Sequence, residues 1–306
     1  MFLILLTNAL FALTYVIAEY VLHFTSPLLL LMYRMLLSGI ILVGFQFFKD
    51  KKKLIIKKNH LFSFLVTILL HMSLNFLCET YALQKISGVM VSLFYLLAPI
   101  FSAVIDLLLK NNTLSKSQWG IIFTGLCSSL AMILVNAQGG EMCFASNHKG
   151  IEILWAYLLL LGSIISSTLA WYRVKDLITD QGYSLVTING YASLFSGFLF
   201  AGILLILRVD VYTFSTNIIF YKVFFGSFLL GLVGNIFAYN LYQSLLRHYS
   251  ITAILLAEIF CPCFTSLYMW LFFDQVPRFN YIIFFFIFLF CVLFFNYKER
   301  AKQQIV

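Results

Sequence analysis

The chain has 306 residues, of which 62% are hydrophobic and 10% are charged, whereas a soluble domain carries about 25% charged residues. This composition excludes a soluble protein with a solvated surface and predicts an all-α polytopic membrane protein. The formal net charge is +8, but the basic residues do not alternate with aromatic residues on a polar face, so nucleic acid is not an expected partner.

Apolar segments of about 20 residues, the length that crosses the hydrocarbon core as a helix, recur along the whole chain. The first of them begins without Lys or Arg, so it is interpreted as a retained span and not as a cleaved signal peptide. Ten transmembrane helices, numbered as spans 1 to 10, are predicted near residues 1–22, 28–48, 61–83, 88–109, 119–136, 151–172, 183–207, 221–245, 250–273 and 281–297.

The sequence repeats itself at a constant offset of 163 residues. The stretch LQKISGVMVSLFYLLAP at residues 83–99 returns as LRHYSITAILLAEIFCP at residues 246–262. In both copies a polar turn precedes an apolar run that contains a proline. The chain is therefore predicted to consist of two five-helix repeats, residues 1–140 and residues 141–306.

Basic residues in the short loops predict the orientation of the chain. With the N-terminus inside, the cytoplasmic segments hold 14 of the 20 Lys and Arg residues and the outer turns hold 5. Both termini are therefore expected to be cytoplasmic. Because each repeat has an odd number of spans, the second repeat must enter the membrane from the opposite side, so the two repeats are predicted to be inverted copies. Inverted repeats recur in carriers that bind the solute near the midplane.

Three segments resemble the repeat of EamA-type transporters in the drug/metabolite transporter superfamily. They are SPLLLLMYR at residues 26–34, ALQKISGVMVSLFYLLAP at residues 82–99 and SLLRHYSITAILLAEIFCP at residues 244–262. The chain departs from the family where Asn111 replaces an acidic residue and where span 1 lacks a Trp-Gly pair. The resemblance implies a ten-helix secondary carrier of small organic solutes, with a cavity lined mainly by spans 1, 3, 4, 6, 8 and 9.

Span 3 carries the clearest polar pattern within an apolar segment. His71, Asn75 and Glu79 follow one another at four-residue spacing, which places their side chains on one face of a helix. A charged group at the bilayer centre costs about 2.5 to 3.5 kcal/mol on the lenient insertion scale, so such residues need a function or a partner. We expect this face to bind a polar or cationic solute, and the alternative is a hydrogen-bond network that packs span 3 on a neighbour.

Spans 1 and 8 add further candidate solute ligands. Asn8, Tyr15 and Glu19 share one face of span 1, although Glu19 is also interpretable as solvated near the outer surface. Span 8 offers Asn235, Tyr239 and Tyr242. For the aromatic residues among them, ordinary helix packing is the alternative to stacking on a flat or cationic ligand.

Tyr95 and Glu258 occupy equivalent positions in the two repeats, four residues before Pro99 and Pro262. A proline removes the helical hydrogen bond to the fourth preceding carbonyl, and a helix break is expected there. Glu258 is therefore the preferred carboxylate for cation binding, with a buried structural role as the alternative. Candidates for proton coupling are the three titratable side chains Glu258, Glu79 and His71.

Two groups of residues are expected to have structural or interfacial roles and not to bind the solute. Arg34 in span 2 is expected to reach the outer interface or to pair with Glu19. An interfacial aromatic belt is expected at the ends of span 6, formed by Trp155, Tyr157, Trp171 and Tyr172.

The predicted function is secondary transport of an amino-acid-like zwitterion or cation by alternating access. A polyanionic solute would require several basic residues in the cavity. The sequence contains no nucleotide-binding glycine loop, no metal-ligand cluster and no nucleophile with a paired base, so no cofactor, no metal and no enzymatic activity are expected. The alternative is a polytopic membrane enzyme or scaffold without transport activity.

The amino-acid usage suggests a specific solute and location. The chain is rich in Phe, Ile and Lys and poor in Ala, which is typical of AT-rich genomes such as those of host-dependent bacteria. Similar carriers in such bacteria exchange S-adenosylmethionine for its spent form, S-adenosylhomocysteine. We therefore expect a bacterial inner-membrane protein whose partners are a small-molecule solute and the lipid bilayer, with a homodimer left open.

Overall fold

The computed structural model describes residues 2–110, 116–138, 150–208 and 217–275, together with four isolated positions between residues 286 and 294. All secondary structure within these residues is helical. Eight of the described helical segments are long and apolar enough to cross a membrane, which confirms an all-α, multi-pass membrane protein. They are Phe2–Leu22, Pro27–Lys49, Lys58–Leu83, Gly88–Leu108, Ile151–Thr179, Leu185–Ile206, Asn217–Leu245 and Ile251–Phe273, which correspond to spans 1 to 4 and 6 to 9.

Several spans are built from more than one helix. The described α-helices are, in chain order, α1 Phe2–Leu22, α2 Pro27–Lys49, α3 Leu61–Ile68, α4 Asn75–Leu83, α5 Gly88–Tyr95, α6 Ala98–Lys110, α7 Lys116–Gln138, α8 Gly150–Thr179, α9 Leu185–Ile206, α10 Asn217–Leu230, α11 Tyr239–Leu245, α12 Ile251–Ala257 and α13 Phe260–Phe273. Short 3₁₀ turns at Lys51–Leu54 and Lys58–His60 connect spans 2 and 3.

Spans 5 and 10 are not among these eight segments. Span 5 is helical as α7, with a shorter apolar stretch at Trp119–Ser128. The predicted span 10 lies outside the described residues, apart from the four isolated positions. The count of ten helices and the inverted arrangement of two repeats therefore stay predictions.

Serine caps begin three of the spans. The hydroxyl of Ser87 accepts a hydrogen bond from the backbone N–H of Met90 over 3.3 Å, and the hydroxyl of Ser250 accepts one from Ala253 over 3.2 Å. Ser26 caps span 2 in the same way. Such caps satisfy a backbone donor that has no partner at a helix start. Ser87 and Ser250 are 163 residues apart, so the two halves begin these helices alike.

Spans 4 and 9 are interrupted at matching places. Span 4 stops being α-helical after Tyr95 and resumes at Ala98. Span 9 stops after Ala257 and resumes at Phe260. Both breaks precede a proline, because the proline ring and its missing N–H disfavour the preceding helical turn. The breaks place Tyr95 and Glu258 at the ends of half-helices.

Spans 3 and 8 each contain a π-helical segment, at Leu69–Leu74 and Gly231–Ala238. The two segments coincide when the sequence is shifted by 163 residues. A π-helical segment holds one more residue per hydrogen-bonded turn and often marks a functional site. The polar face predicted for span 3 therefore begins within a widened part of the helix.

Spans 2 and 7 form the closest helix pair. A Cβ atom on Gly39 would lie 2.5 Å from the backbone nitrogen of Leu194, and one on Gly197 would lie 2.8 Å from the backbone of Leu36. Small residues let helices in a membrane approach until their backbones touch. Spans 1, 3 and 8 pack against this pair, which therefore supports them.

Candidate functional site

A cavity of about 50 Å³ lies where seven spans converge. Its walls come from spans 1, 2, 3, 4, 6, 8 and 9, so the structure adds span 2 to the set that the family resemblance implies. Eight of the eleven predicted solute ligands lie on its wall: Asn8, Tyr15, Asn75, Glu79, Tyr95, Tyr239, Tyr242 and Glu258.

One wall is a hydrogen-bonded cluster from spans 3, 4 and 6. The Tyr95 hydroxyl donates to Oε2 of Glu79 over 2.5 Å. The hydroxyl of Ser163 lies 2.8 Å from that of Tyr95 and donates to Oδ1 of Asn75 over 2.6 Å. Asn75 and Glu79 are four residues apart on span 3, so the helix presents both to the same partners. The cluster fixes the Glu79 carboxylate at the cavity.

Glu258 stands in the second half of the chain, at the break in span 9. It follows the last residue of α12, and its backbone carbonyl accepts a hydrogen bond from Cys261 over 2.9 Å. Its carboxylate lies near the Tyr242 hydroxyl. The ion pairs among the described residues are Lys53–Asp50 and Lys85–Glu152, so neither cavity carboxylate is neutralised by a basic side chain there.

Arg34 also lies on the cavity wall and is only 3% exposed. Its Nε donates to Oδ1 of Asn235 over 2.9 Å, and its guanidinium lies 4.2 Å from the ring centre of Phe76. The expectation that Arg34 reaches the interface or pairs with Glu19 is therefore wrong. The side chain turns into the bundle because Gly234 leaves room for it: a Cβ atom there would lie 2.7 Å from Nη2.

Glu19 does not line the cavity. It is 5% exposed, and its Oε2 accepts the backbone N–H of Gly88 over 2.7 Å. A carboxylate at a helix N-terminus is stabilised by the free N–H groups and the helix dipole. The interpretation of Glu19 as solvated is therefore wrong, and its contact positions the start of span 4.

His71 and Asn235 lie behind the wall. Both ring nitrogens of His71 are buried without a hydrogen-bond partner in the described part of the chain, and the ring packs edge-on against Trp171 at 4.5 Å between centroids. The amide nitrogen of Asn235 donates to the hydroxyl of Ser193 over 3.2 Å. Asn235 thus binds Arg34 without itself lining the cavity.

Aromatic rings form another part of the cavity wall. Trp171 stacks on Tyr242 with centroids 4.1 Å apart, and Phe11 meets Tyr239 edge-to-face at 5.2 Å. Trp171 is 5% exposed and the neighbouring Tyr172 is 4% exposed, so the interfacial belt is wrong for these two residues. They lie inside the bundle because α8 continues for two more turns, to Thr179.

Sequence reasoning discounted or missed several wall residues. Phe11 continues the face that Asn8 and Tyr15 define, so the helical period was an available signal for it. Trp171 follows Ser167 by one turn and both line the cavity, so the same signal was available for Trp171. Arg34 gave no such signal, because the described wall contains no other residue of span 2.

The site therefore combines two carboxylates, one guanidinium and a wall of stacked rings. Such a set can bind a solute that carries both signs of charge and a flat or cationic group. Among the described residues there is no group of three His, Cys, Asp or Glu side chains that could hold a metal ion.

Residues 1–134 match the family model of the EamA-like transporter family. The S-adenosylmethionine/S-adenosylhomocysteine transporter of Chlamydia muridarum is 24% identical over 271 residues, which cover 88% of this chain and 83% of the relative. The protein of the same name from Chlamydia trachomatis serovar L2 is 23% identical and is covered to 80%.

A protein of known crystal structure shares the fold, with a TM-score of 0.69 and 13% sequence identity over 95% of this chain and 94% of its own. The family resemblance is thus confirmed by the match of residues 1–134 to the EamA-like transporter family model, in a chain that the eight apolar helices identify as a multi-pass membrane protein.

Proposed function

We propose that the protein is a secondary transporter of an amino-acid-like zwitterion or cation, with S-adenosylmethionine and S-adenosylhomocysteine as its solutes. The observation that carries this proposal is the buried cavity that holds Glu79, Glu258 and Arg34 beside a wall of stacked rings. S-adenosylmethionine carries a sulfonium, an ammonium, a carboxylate and a flat adenine, so each group has a complementary partner type on the wall. The names of the chlamydial relatives support the same solutes.

Transport is proposed to proceed by alternating access between two inverted repeats, residues 1–140 and 141–306. The matching helix breaks in spans 4 and 9 and the matching π-helical segments in spans 3 and 8 support this division. A ligand pocket usually has a volume of about 300 to 1,000 Å³, much more than the 50 Å³ of this cavity. The spans must therefore separate before a solute enters.

Contacts on both sides of the cavity are proposed to act as gates. On one side Ser102 lies 2.8 Å from both the Tyr172 hydroxyl and the Thr252 hydroxyl, and Thr252 donates to Asp106 over 3.1 Å. This network, which we call the Ser102 gate, joins spans 4, 6 and 9. The orientation predicted from the basic loops makes this side cytoplasmic.

The other gate lies near the turn between spans 3 and 4. Lys85 forms an ion pair with Glu152 over 3.1 Å, and Glu19 binds the backbone of Gly88 nearby. The same orientation makes this side extracytoplasmic, with both termini inside a bacterial inner membrane. Both gates are closed, in agreement with the small cavity.

Uptake into proteoliposomes tests the proposed function. The purified protein is reconstituted, and labelled S-adenosylmethionine is offered beside a panel of labelled amino acids, with and without unlabelled S-adenosylhomocysteine inside. We expect saturable uptake of S-adenosylmethionine that internal S-adenosylhomocysteine stimulates. Uptake no faster than into protein-free liposomes, for every solute, would argue for a scaffold or an enzyme instead.

A further inference from the structure

Arg34 is the one basic side chain on the described wall of the cavity. Its Nε is occupied by Asn235 at 2.9 Å, and one face of the guanidinium lies on Phe76. These two contacts use one edge and one face of the planar group. Neither contact uses the edge that carries the two terminal nitrogens, Nη1 and Nη2.

No residue in the described part of the chain forms an ion pair with Arg34 within 4.0 Å. The nearby Glu79 carboxylate is held by the Tyr95 hydroxyl instead. The terminal nitrogens of Arg34 likewise make no hydrogen bond to the described residues, although the side chain is only 3% exposed. A buried charge without a partner is costly for folding, so an unpaired guanidinium at a cavity requires an explanation.

The local structure of span 8 keeps this guanidinium in place. Gly234 and Asn235 are adjacent residues of the π-helical segment, where the glycine provides space for Nη2 and the asparagine binds Nε. Asn235 is itself held by Ser193 and by the sulfur of Met35. The fork is therefore positioned before any solute binds, which lowers the entropic cost of binding.

We propose that Arg34 binds the carboxylate of the transported solute through its two terminal nitrogens, and that this contact makes the carrier select carboxylate-bearing solutes over the corresponding amines. The inference rests on the proposed function and adds the site of the carboxylate to it. A guanidinium fork matches the two oxygens of a carboxylate better than any other side chain does. Glu79 and Glu258 then remain for the cationic groups of the same solute.

The test compares two ligands that differ by a carboxylate. Equilibrium binding of S-adenosylmethionine and of its decarboxylated form is measured on the purified full chain, for the wild type and for Arg34→Gln, Arg34→Lys and Arg173→Gln. Arg173 is an exposed arginine of span 6 and serves as the matched control. We expect the wild type and Arg173→Gln to prefer S-adenosylmethionine by about tenfold to a hundredfold, the range for hydrogen bonds between charged groups.

In Arg34→Gln the preference for S-adenosylmethionine should be lost, because the carboxylate contact is removed. The decarboxylated form should bind at least as tightly as to the wild type, because the variant also removes a positive charge that repels its cationic groups. Arg34→Lys should retain part of the preference, since a lysine keeps the charge but not the fork. Asn235→Ala leaves the charge of Arg34 in place but removes the hydrogen bond that orients its guanidinium. This variant should also reduce the preference, and it provides a second test if Arg34→Gln does not fold.

A preference that survives in Arg34→Gln, or a loss of affinity that is the same for both ligands, would overturn the inference while leaving the proposed function standing. A wild-type protein that binds neither ligand would overturn the proposed function and the inference with it.

Discussion

The Tyr95 hydroxyl donates a hydrogen bond to the carboxylate of Glu79 over 2.5 Å, and this bond joins span 4 to span 3 at the cavity. Tyr95 ends the first half of span 4, just before the break at Pro99. Movement of that half-helix therefore changes the surroundings of a carboxylate proposed to bind the solute. We therefore propose that this contact couples movement of span 4 to solute binding.

Tyr95→Phe removes this hydrogen bond without changing the ring. A hydrogen bond to a charged group is worth about 1.5 to 3 kcal/mol, and Glu79 would lose the partner that orients it. We expect the affinity for S-adenosylmethionine to fall about tenfold, as measured by equilibrium binding. Tyr221→Phe, at a residue that is 68% exposed, is the matched control, and equal affinities in the two variants would contradict the role of Tyr95.

Trp171→Ala removes the ring that stacks on Tyr242. Stacking of a base on an aromatic side chain is worth about 1 to 3 kcal/mol, so we expect the affinity for S-adenosylmethionine to fall about tenfold. The affinity for methionine, which has no adenine, should change little. Competition binding measures both. Trp155→Ala, at a residue that is 62% exposed, should affect neither ligand, and a loss for methionine as large as that for S-adenosylmethionine would contradict adenine stacking.

Thr252→Val breaks the Ser102 gate with a side chain of the same shape. The valine offers no hydroxyl to Ser102 or Asp106, so the closed arrangement loses its links between spans 4 and 9. We expect a membrane-impermeant thiol reagent to reach Cys261, on the cavity wall, several-fold faster in this variant than in the wild type.

The control for this measurement is Thr124→Val, at an exposed residue of α7. Labelling of a Cys261→Ser variant measures the signal from the other thiols, and this signal is subtracted. An unchanged labelling rate in Thr252→Val would show that the Ser102 gate does not limit access to the cavity.

Gly39→Ala tests the support formed by spans 2 and 7. The new methyl group would lie 2.5 Å from the backbone of Leu194, and overpacking of this kind costs about 1 to 3 kcal/mol. We therefore expect a lower Tm in detergent. Gly44→Ala lies in the same helix with no atom within 4 Å of the added group, and it should leave the Tm unchanged or raise it slightly. Equal Tm values for the two variants would contradict close packing at Gly39.

Much of the fold is predictable from the sequence, because membrane thickness fixes the length of each apolar run. The predicted limits of spans 1 to 4 agree with the structure within about three residues. Span 6 was predicted to end at Tyr172 but continues to Thr179. Charged and polar residues in its last turns hid the continuation, and this error led to the interfacial interpretation of Trp171.

Residues of the site were predictable from the sequence only where they share a helical face or an equivalent position in the sequence repeat. Asn75 and Glu79 share a helical face, and Tyr95 and Glu258 share a repeat position, and all four line the cavity. Arg34 could not be placed in this way. Its orientation depends on Asn235, 201 positions away in the sequence, and on the space above Gly234, which neither periodicity nor composition records.

In the proposed transport cycle the solute passes through the cavity beside Glu258. The most direct test of this passage is the initial rate of labelled S-adenosylmethionine uptake into proteoliposomes containing the wild type, Glu258→Gln or Asp180→Asn, each preloaded with S-adenosylhomocysteine. Asp180 is an exposed carboxylate outside the cavity. We expect rapid uptake by the wild type and Asp180→Asn and at least about a tenfold slower rate for Glu258→Gln. Wild-type rates in Glu258→Gln would contradict this proposal.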